Sequence, residues 1–334
     1  MEAKEVVLVT GGSGYIGSVL VPRLLNSGYQ VRVLDAGYFG HESLNTVKNR
    51  IELVESDIRS CSEDVFQKVT SVVHLAGFSN DPTAEYNPTQ NFSVNFDGTR
   101  RIATLAKNAG VKRFIFGSTC SVYYSEQPDD SMRTESTLIY PKAPYSLSKH
   151  LAEQYLCAQR SDSFAPIILR KGTVYGLSPR MRYDLAVNTF VKNAYINKSL
   201  ILHAGGWMWR PFVNIQDVAG AYEFLLRAPV EKTSGHTYNL VGFNTLIKDI
   251  ATQIQSVAKQ DFNVDLVLKS EETGPQRSYR VSGDKLGEAG FSPEAHLATA
   301  VNEMWRMLQS GAHDLGEAKY YNIRQFEYLF PREI

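Results

Sequence analysis

Residues 8–18 read LVTGGSGYIGS, with Gly11, Gly14 and Gly17 spaced as G-x-x-G-x-x-G. The apolar run VVLVT (6–10) leading into them reads as a strand, and residues 15–27 after them read as a helix. Glycines placed this way let the backbone turn tightly. They bring a diphosphate onto the helix N-terminus, where unpaired N–H groups and the helix dipole favour anions. The motif is specific in this strand-to-helix setting. Gly11, Gly14, Tyr15, Ile16 and Gly17 are therefore the expected cradle of a dinucleotide.

Further short apolar runs follow: VRVLD (31–35), IELVE (51–55), SVVHLA (71–76), RFIFGS (113–118) and APIILR (165–170). They are almost continuously apolar, as parallel strands covered by helices on both faces should be. Helical patterns at 15–27, 64–68, 88–108 and 144–160 alternate with them. The expectation is an α/β fold with a doubly wound parallel sheet. After Gly176 the rhythm changes. A helix within 180–198 leads to LILHAGGWMWRPFVNI (200–215), which reads as loop-rich. A helix at 216–228, a strand at 236–242, and two or three helices around the strand 264–269 complete the chain. Residues 1–176, with 211–242 returning to them, form the expected nucleotide-binding domain. Residues 177–210 and 243–334 form a smaller α/β substrate-binding region.

Asp35 ends the second strand, eighteen residues past Gly17. A carboxylate there can accept both ribose hydroxyls and would repel a 2′-phosphate, which favours NAD over NADP. Asp57, after the third strand, is placed to meet the adenine edge. Downstream, Tyr145 and Lys149 stand at i and i+4 in PYSLSKHLAEQY, on one face of a helix that Pro144 can start. An ammonium beside a phenol favours phenolate, so this pair can exchange a proton with a substrate hydroxyl.

Lys plus Arg and Asp plus Glu both number 35, so no net charge attracts nucleic acid or an anionic membrane. No apolar stretch is long enough to span a bilayer, and MEAKEVVLVT lacks the layout of a signal peptide. Cys61, Cys120 and Cys157 are far apart, which suggests neither a metal site nor a disulfide framework. A cytoplasmic protein without metal is expected.

Taken together, TGGSGYIGS, Asp35, Asp57-Ile58, HLAG (74–77), NFDGT (95–99), STCSVY (118–123), YSLSK (145–149) and WRPFVNIQDVAGAY (209–222) resemble the extended short-chain dehydrogenase/reductase family. The likeness is strongest to its nucleotide-sugar epimerases and dehydratases, of the UDP-galactose 4-epimerase kind. The resemblance implies a Rossmann fold holding NAD, with Ile58, Leu75, Ala76 and Gly77 also at the cofactor. A nucleotide sugar would lie between the two regions. Thr119, Tyr145 and Lys149 take the catalytic positions. Ser79, Asn80, Cys120, Ser121, Thr173, Asn188 and Arg210 fall at substrate positions, with Arg277 or Arg280 as a second diphosphate-binding arginine. The resemblance also implies a homodimer formed through the helices 88–108 and 144–160.

There are departures from the family pattern. The 4,6-dehydratases carry an Asp-Glu pair after the catalytic hydroxyl, where this chain has Cys120-Ser121. That disfavours dehydration. Thr173 replaces a common asparagine, and SPRMRYD (178–184) adds two arginines and an aspartate near the expected sugar site. The leading expectation is a C4 epimerase working through a transient 4-keto sugar. Reductase, decarboxylase and a non-enzymatic NAD-binding protein are the alternatives. Cys120 as a nucleophile has no cationic neighbour in sequence to favour its thiolate.

Overall fold

The computed structural model describes residues 5–124, 131–272 and 278–331. Seven strands build the main sheet: β1 (Val6–Thr10), β2 (Gln30–Asp35), β3 (Ile51–Glu55), β4 (Val69–His74), β5 (Arg113–Thr119), β6 (Ala165–Lys171) and β7 (Thr237–Leu240). Their order across the sheet is β7-β6-β5-β4-β1-β2-β3, and every pairing is parallel. The order reverses beside β1, so a crevice opens at the strands' C-terminal ends between β1 and β4.

Alternation along each strand feeds two hydrophobic layers. Val7, Val9, Val33 and Ile115 pack with Leu20 and Leu24 of α1 (Gly17–Asn26) on one face. Leu8, Val72, Phe114 and Phe116 meet Ile102 of α2 (Thr99–Asn108) and Leu156 of α3 (Pro144–Ala158) on the other. Both faces are covered, which is why the strands read as unbroken apolar runs. The helix α4 (Ile215–Arg227) adds Val218, Tyr222 and Leu225 to the first layer.

A second core forms beyond the strand ends. It gathers Tyr175, Met181, Tyr183, Val187, Phe212, Ile254, Val301 and Trp305. Here the structure departs from the sequence reading. Residues 200–215 are not loop-rich: Ser199–His203 and Trp209–Asn214 are strands. The second pairs with Thr173–Tyr175 in parallel and with Phe243–Leu246 in antiparallel register. These pairings join residues far apart in sequence, so local periodicity does not reveal them. The helix expected at 64–68 is a 3₁₀ turn over Glu63–Phe66. The helix expected at 88–108 carries a wide π turn over Ser93–Gly98, where Thr99 Oγ1 donates to Asn95 O at 2.7 Å. A further helix, Asp81–Tyr86, starts where Asn80 caps Thr83 N at 3.1 Å. No helix among the described residues is long and apolar enough to cross a membrane.

Gly17 is where α1 leans on the glycine loop. A Cβ added there would sit 2.5 Å from both Gly11 O and Gly12 Cα. Neither atom can move without displacing the loop. Gly17→Ala should therefore lose about 1–3 kcal/mol of stability, as overpacked sites do, and weaken dinucleotide binding as the loop shifts. Denaturant titration and a nucleotide-binding assay would check both.

Candidate active site

The crevice is a cavity of about 330 Å³ running from Asp35 and Asp57 to Thr119, Tyr145 and Lys149. At the first end the loop presses against β4. Gly11 adopts φ +71°, and a Cβ on it would lie 2.7 Å from Ala76 N. Gly14, Tyr15, Ile16, Gly17, Ile58, Leu75, Ala76 and Gly77 all contribute to the wall. Asp35 is held by Ser13 N at 2.9 Å and Gly37 N at 3.0 Å. Burial raises its pKa, and those two N–H groups oppose the rise. Asp57 accepts from Arg59 Nη2 at 2.7 Å and from the Tyr38 hydroxyl at 2.8 Å. Burial pushes its carboxyl up, but Arg59 and Tyr38 outweigh that and leave it below the ordinary value. A cradle with no room for side chains and a fixed carboxylate at one end suit a dinucleotide.

At the other end, Thr119 finishes β5, and its Oγ1 donates to Ser121 Oγ at 3.1 Å. Tyr145 and Lys149 rise from the first turns of α3 onto the same wall. The sequence reading had the lysine drawing the tyrosine toward neutrality. Burial governs instead. It pushes Tyr145 up to about 12, against a hydrogen bond with Thr119 that lowers it. Lys149 Nζ lies 4.1 Å from the centre of the Phe116 ring, and burial, with Lys171 nearby, holds it down to about 7.

Ser79, Asn80, Ser121 and Thr173 line the cavity. Ser79 Oγ accepts from Arg182 Nη1 at 2.9 Å, and Asn80 Nδ2 donates to Asp184 at 3.1 Å. Two expected substrate contacts lie elsewhere. Cys120 is fully buried behind the wall with Val122, Tyr123 and Val281; its Sγ donates to Arg170 O at 3.4 Å. Burial raises that thiol far above its ordinary value, so the chain does not offer it as a nucleophile. Asn188 is also fully buried. It accepts from Gly176 N at 3.1 Å and donates to the Tyr15 hydroxyl at 3.0 Å, bracing the start of the second region. Arg210 stands beside the cavity, its guanidinium 5.3 Å from the ring of Tyr279, which lines it. Arg280 packs over Trp209 at 5.2 Å, and Arg277 falls outside the described residues.

Residues 7–241 match the model of the "NAD dependent epimerase/dehydratase family". The chain belongs to this family. Its curated relatives include a protein of Methanocaldococcus jannaschii provisionally named a UDP-glucose 4-epimerase, 32% identical over 90% of this chain and 97% of its own length. A UDP-N-acetyl-alpha-D-glucosaminuronate decarboxylase of Bacillus cytotoxicus is 31% identical over 71% of this chain and 75% of its own. Among solved structures, a UDP-N-acetylglucosamine 4-epimerase of Methanobrevibacter ruminantium superposes with a TM-score of 0.81 at 24% identity. It covers 92% of this chain and 100% of that one. That last likeness shows the Rossmann fold. Membership in the family makes the chain an NAD-dependent enzyme, and the glycine cradle with Asp35 is where its residues suit that cofactor.

The sequence reading missed what supports the wall that carries Thr119, Tyr145 and Lys149. Glu153, one turn beyond Lys149, is buried and paired with Arg170 of β6 at 2.6 Å. Ser118 Oγ also donates to Glu153, and Arg170 Nη1 donates to the Tyr123 hydroxyl at 2.7 Å. Lys171 follows at the strand end, in register with Thr119, and donates to Ser118 O at 2.8 Å. A lysine directly after the arginine that ends APIILR was the available signal. Burial holds Lys171 down to about 7 as well.

The two lysines make a pH prediction. From pH 7 upward the unfolded chain still binds both protons, while the folded chain has begun to release them. Stability must therefore rise with pH until buried thiols begin to oppose it, above about pH 8.5. Denaturant midpoints of nucleotide-stripped protein should climb between pH 7 and 8.5, and Lys171→Met should flatten part of the climb. A slope that Lys171→Met leaves unchanged would contradict the assignment.

Proposed function

We propose that this protein is a nucleotide-sugar epimerase that inverts C4 through a transient 4-keto sugar. What carries the reading is the Thr119, Tyr145 and Lys149 set, brought onto one cavity wall from β5 and α3. Bound NAD supplies a hydride acceptor that is restored within the same turnover, together with the positive charge of its oxidised ring. Tyr145 exchanges a proton with the sugar hydroxyl, and Thr119 holds the reacting oxygen. Lys149 supplies charge when protonated. With a pKa near 7, its proton is available for exchange at neutral pH. Gly11, Gly14, Gly17, Asp35, Asp57 and Leu75–Gly77 hold the cofactor in this scheme. Ser79, Asn80, Ser121 and Thr173 meet the sugar, and Arg210 with Arg277 meets the substrate diphosphate. Residues 177–210 and 243–334 act as the substrate-binding region.

Dehydration is disfavoured because Cys120-Ser121 brings no acid to follow Thr119, and Cys120 does not face the cavity at all. Loss of a carboxyl group from a nucleotide uronic acid is the second reading, supported by the decarboxylase among the relatives. The reading includes a cytoplasmic homodimer formed through α2 and α3. Ile102 and Leu105 face the sheet, which leaves Leu151 and Tyr155 to contribute there. Sedimentation at monomer mass would remove the dimer.

Two outcomes are expected. With a panel of nucleotide sugars, one substrate should give its 4-epimer without net NADH, whereas release of carbon dioxide would replace this reading with the second. Tyr145→Phe should lower turnover by at least about 10²-fold while retaining bound NAD, in line with the loss of a general acid–base group. Normal turnover in that variant would overturn the scheme.

A further inference from the structure

Arg180 belongs to the segment SPRMRYD, which the sequence places near the sugar. The structure puts it at the opposite end. Its backbone N reaches Ser18 Oγ at 3.4 Å, and Ser178 Oγ donates to Tyr15 O at 2.7 Å. The segment is thereby fastened to the first turn of α1. From there the side chain runs over the Phe39 ring, with the guanidinium carbon 3.7 Å from its centre, and lines the cavity near Asp35.

The guanidinium is costly as it stands. Arg180 is only 6% exposed and forms no ion pair among the described residues. Its Nη2 donates to Asn322 Oδ1 at 2.8 Å, while its Nε is buried without a partner. Burial lowers its pKa to about 9; Arg182 adds to the fall, and Asp184 and Asp35 resist it. A buried, under-satisfied fork of donors is the group that a planar-faced anion relieves. The N-terminus of α1 beside it favours anions on its own account, and the loop glycines leave that end open to a diphosphate.

We propose that Arg180 is a cofactor-binding residue, a cationic latch supplied by the second region that closes on the diphosphate of the dinucleotide at the N-terminus of α1. Phe39 holds the latch from the β2 side, where Gly37 and Gly40 take φ +69° and +75°, and Asn322 holds it from the C-terminal helix Asn322–Leu329. One side chain thus ties three separated segments to the same ligand. The latch rests on the NAD dependence of the family and not on which sugar is turned over, so a failed epimerase assay leaves it standing.

The test is binding, measured by calorimetry on the full chain after nucleotide has been stripped, with NAD, ADP-ribose and adenosine as probes. Arg180→Gln should weaken NAD and ADP-ribose alike by about 10- to 100-fold, the worth of a charged hydrogen bond, and leave adenosine within about threefold. Arg180→Lys should fall between wild type and Arg180→Gln, because it keeps the charge and loses the fork. If Arg180→Gln fails to fold, the lysine variant decides by the same comparison. Unchanged affinity for ADP-ribose, or an equal loss for adenosine, would overturn the proposal.

Discussion

The buried pair of Glu153 and Arg170 is the contact on which the Thr119–Tyr145–Lys149 end of the cavity depends. It joins α3 to β6, an interior strand of the sheet, and neither partner has water to fall back on. Glu153 lies one turn from Lys149, and Arg170 lies beside Lys171. Ser118, just before Thr119, donates to Glu153, and Cys120, just after it, donates to Arg170 O. The hydroxyl, the phenol and both lysines are thus aimed from elements fastened to a single ion pair. Breaking such a pair from one side costs about 3–5 kcal/mol, because the remaining charge stays buried. The pair therefore contributes as much to the position of the site as to the stability of the fold.

Partners outweigh burial at Glu153 and Asp57, whereas burial prevails at four groups along the cavity. It raises Tyr145, lowers Lys149 and Lys171, and lowers Arg180 at the far end of the same cavity. All four shifts favour the neutral forms. A ligand carrying a diphosphate and a cationic ring would act on them at both ends at once: the diphosphate favours the charged form of Arg180, and the ring favours the Tyr145 phenolate and the neutral lysines. The cavity's electrostatics are in this sense half of a design whose other half is the ligand.

Much of the nucleotide-binding half was legible beforehand because its signals are local. An apolar run of five or six residues reads as a parallel strand, and six such runs account for all of the main sheet but the four-residue β7. The glycine spacing works within one turn, and Tyr145 with Lys149 within one helix face. The strands Ser199–His203 and Trp209–Asn214 were not legible, since their partners come from 267–271, 173–175 and 243–246. Cys120 and Asn188 were misplaced for a related reason. Position in a motif says which element carries a residue, while one step past a strand end (Cys120) or around a helix (Asn188) decides whether its side chain meets the cavity or the core.

By itself, then, the sequence determined the α/β alternation, the glycine cradle and the placing of Tyr145 and Lys149 on one helix face, because each is set by spacing along the chain. Only the tertiary structure decided which charges are buried together. Glu153 meets Arg170 across α3 and β6, Lys171 comes into register with Thr119, and Arg180 crosses from a segment near the sugar to lie beside α1. Electrostatic energy depends on distance and on exclusion of water, and neither quantity is a property of separation in sequence.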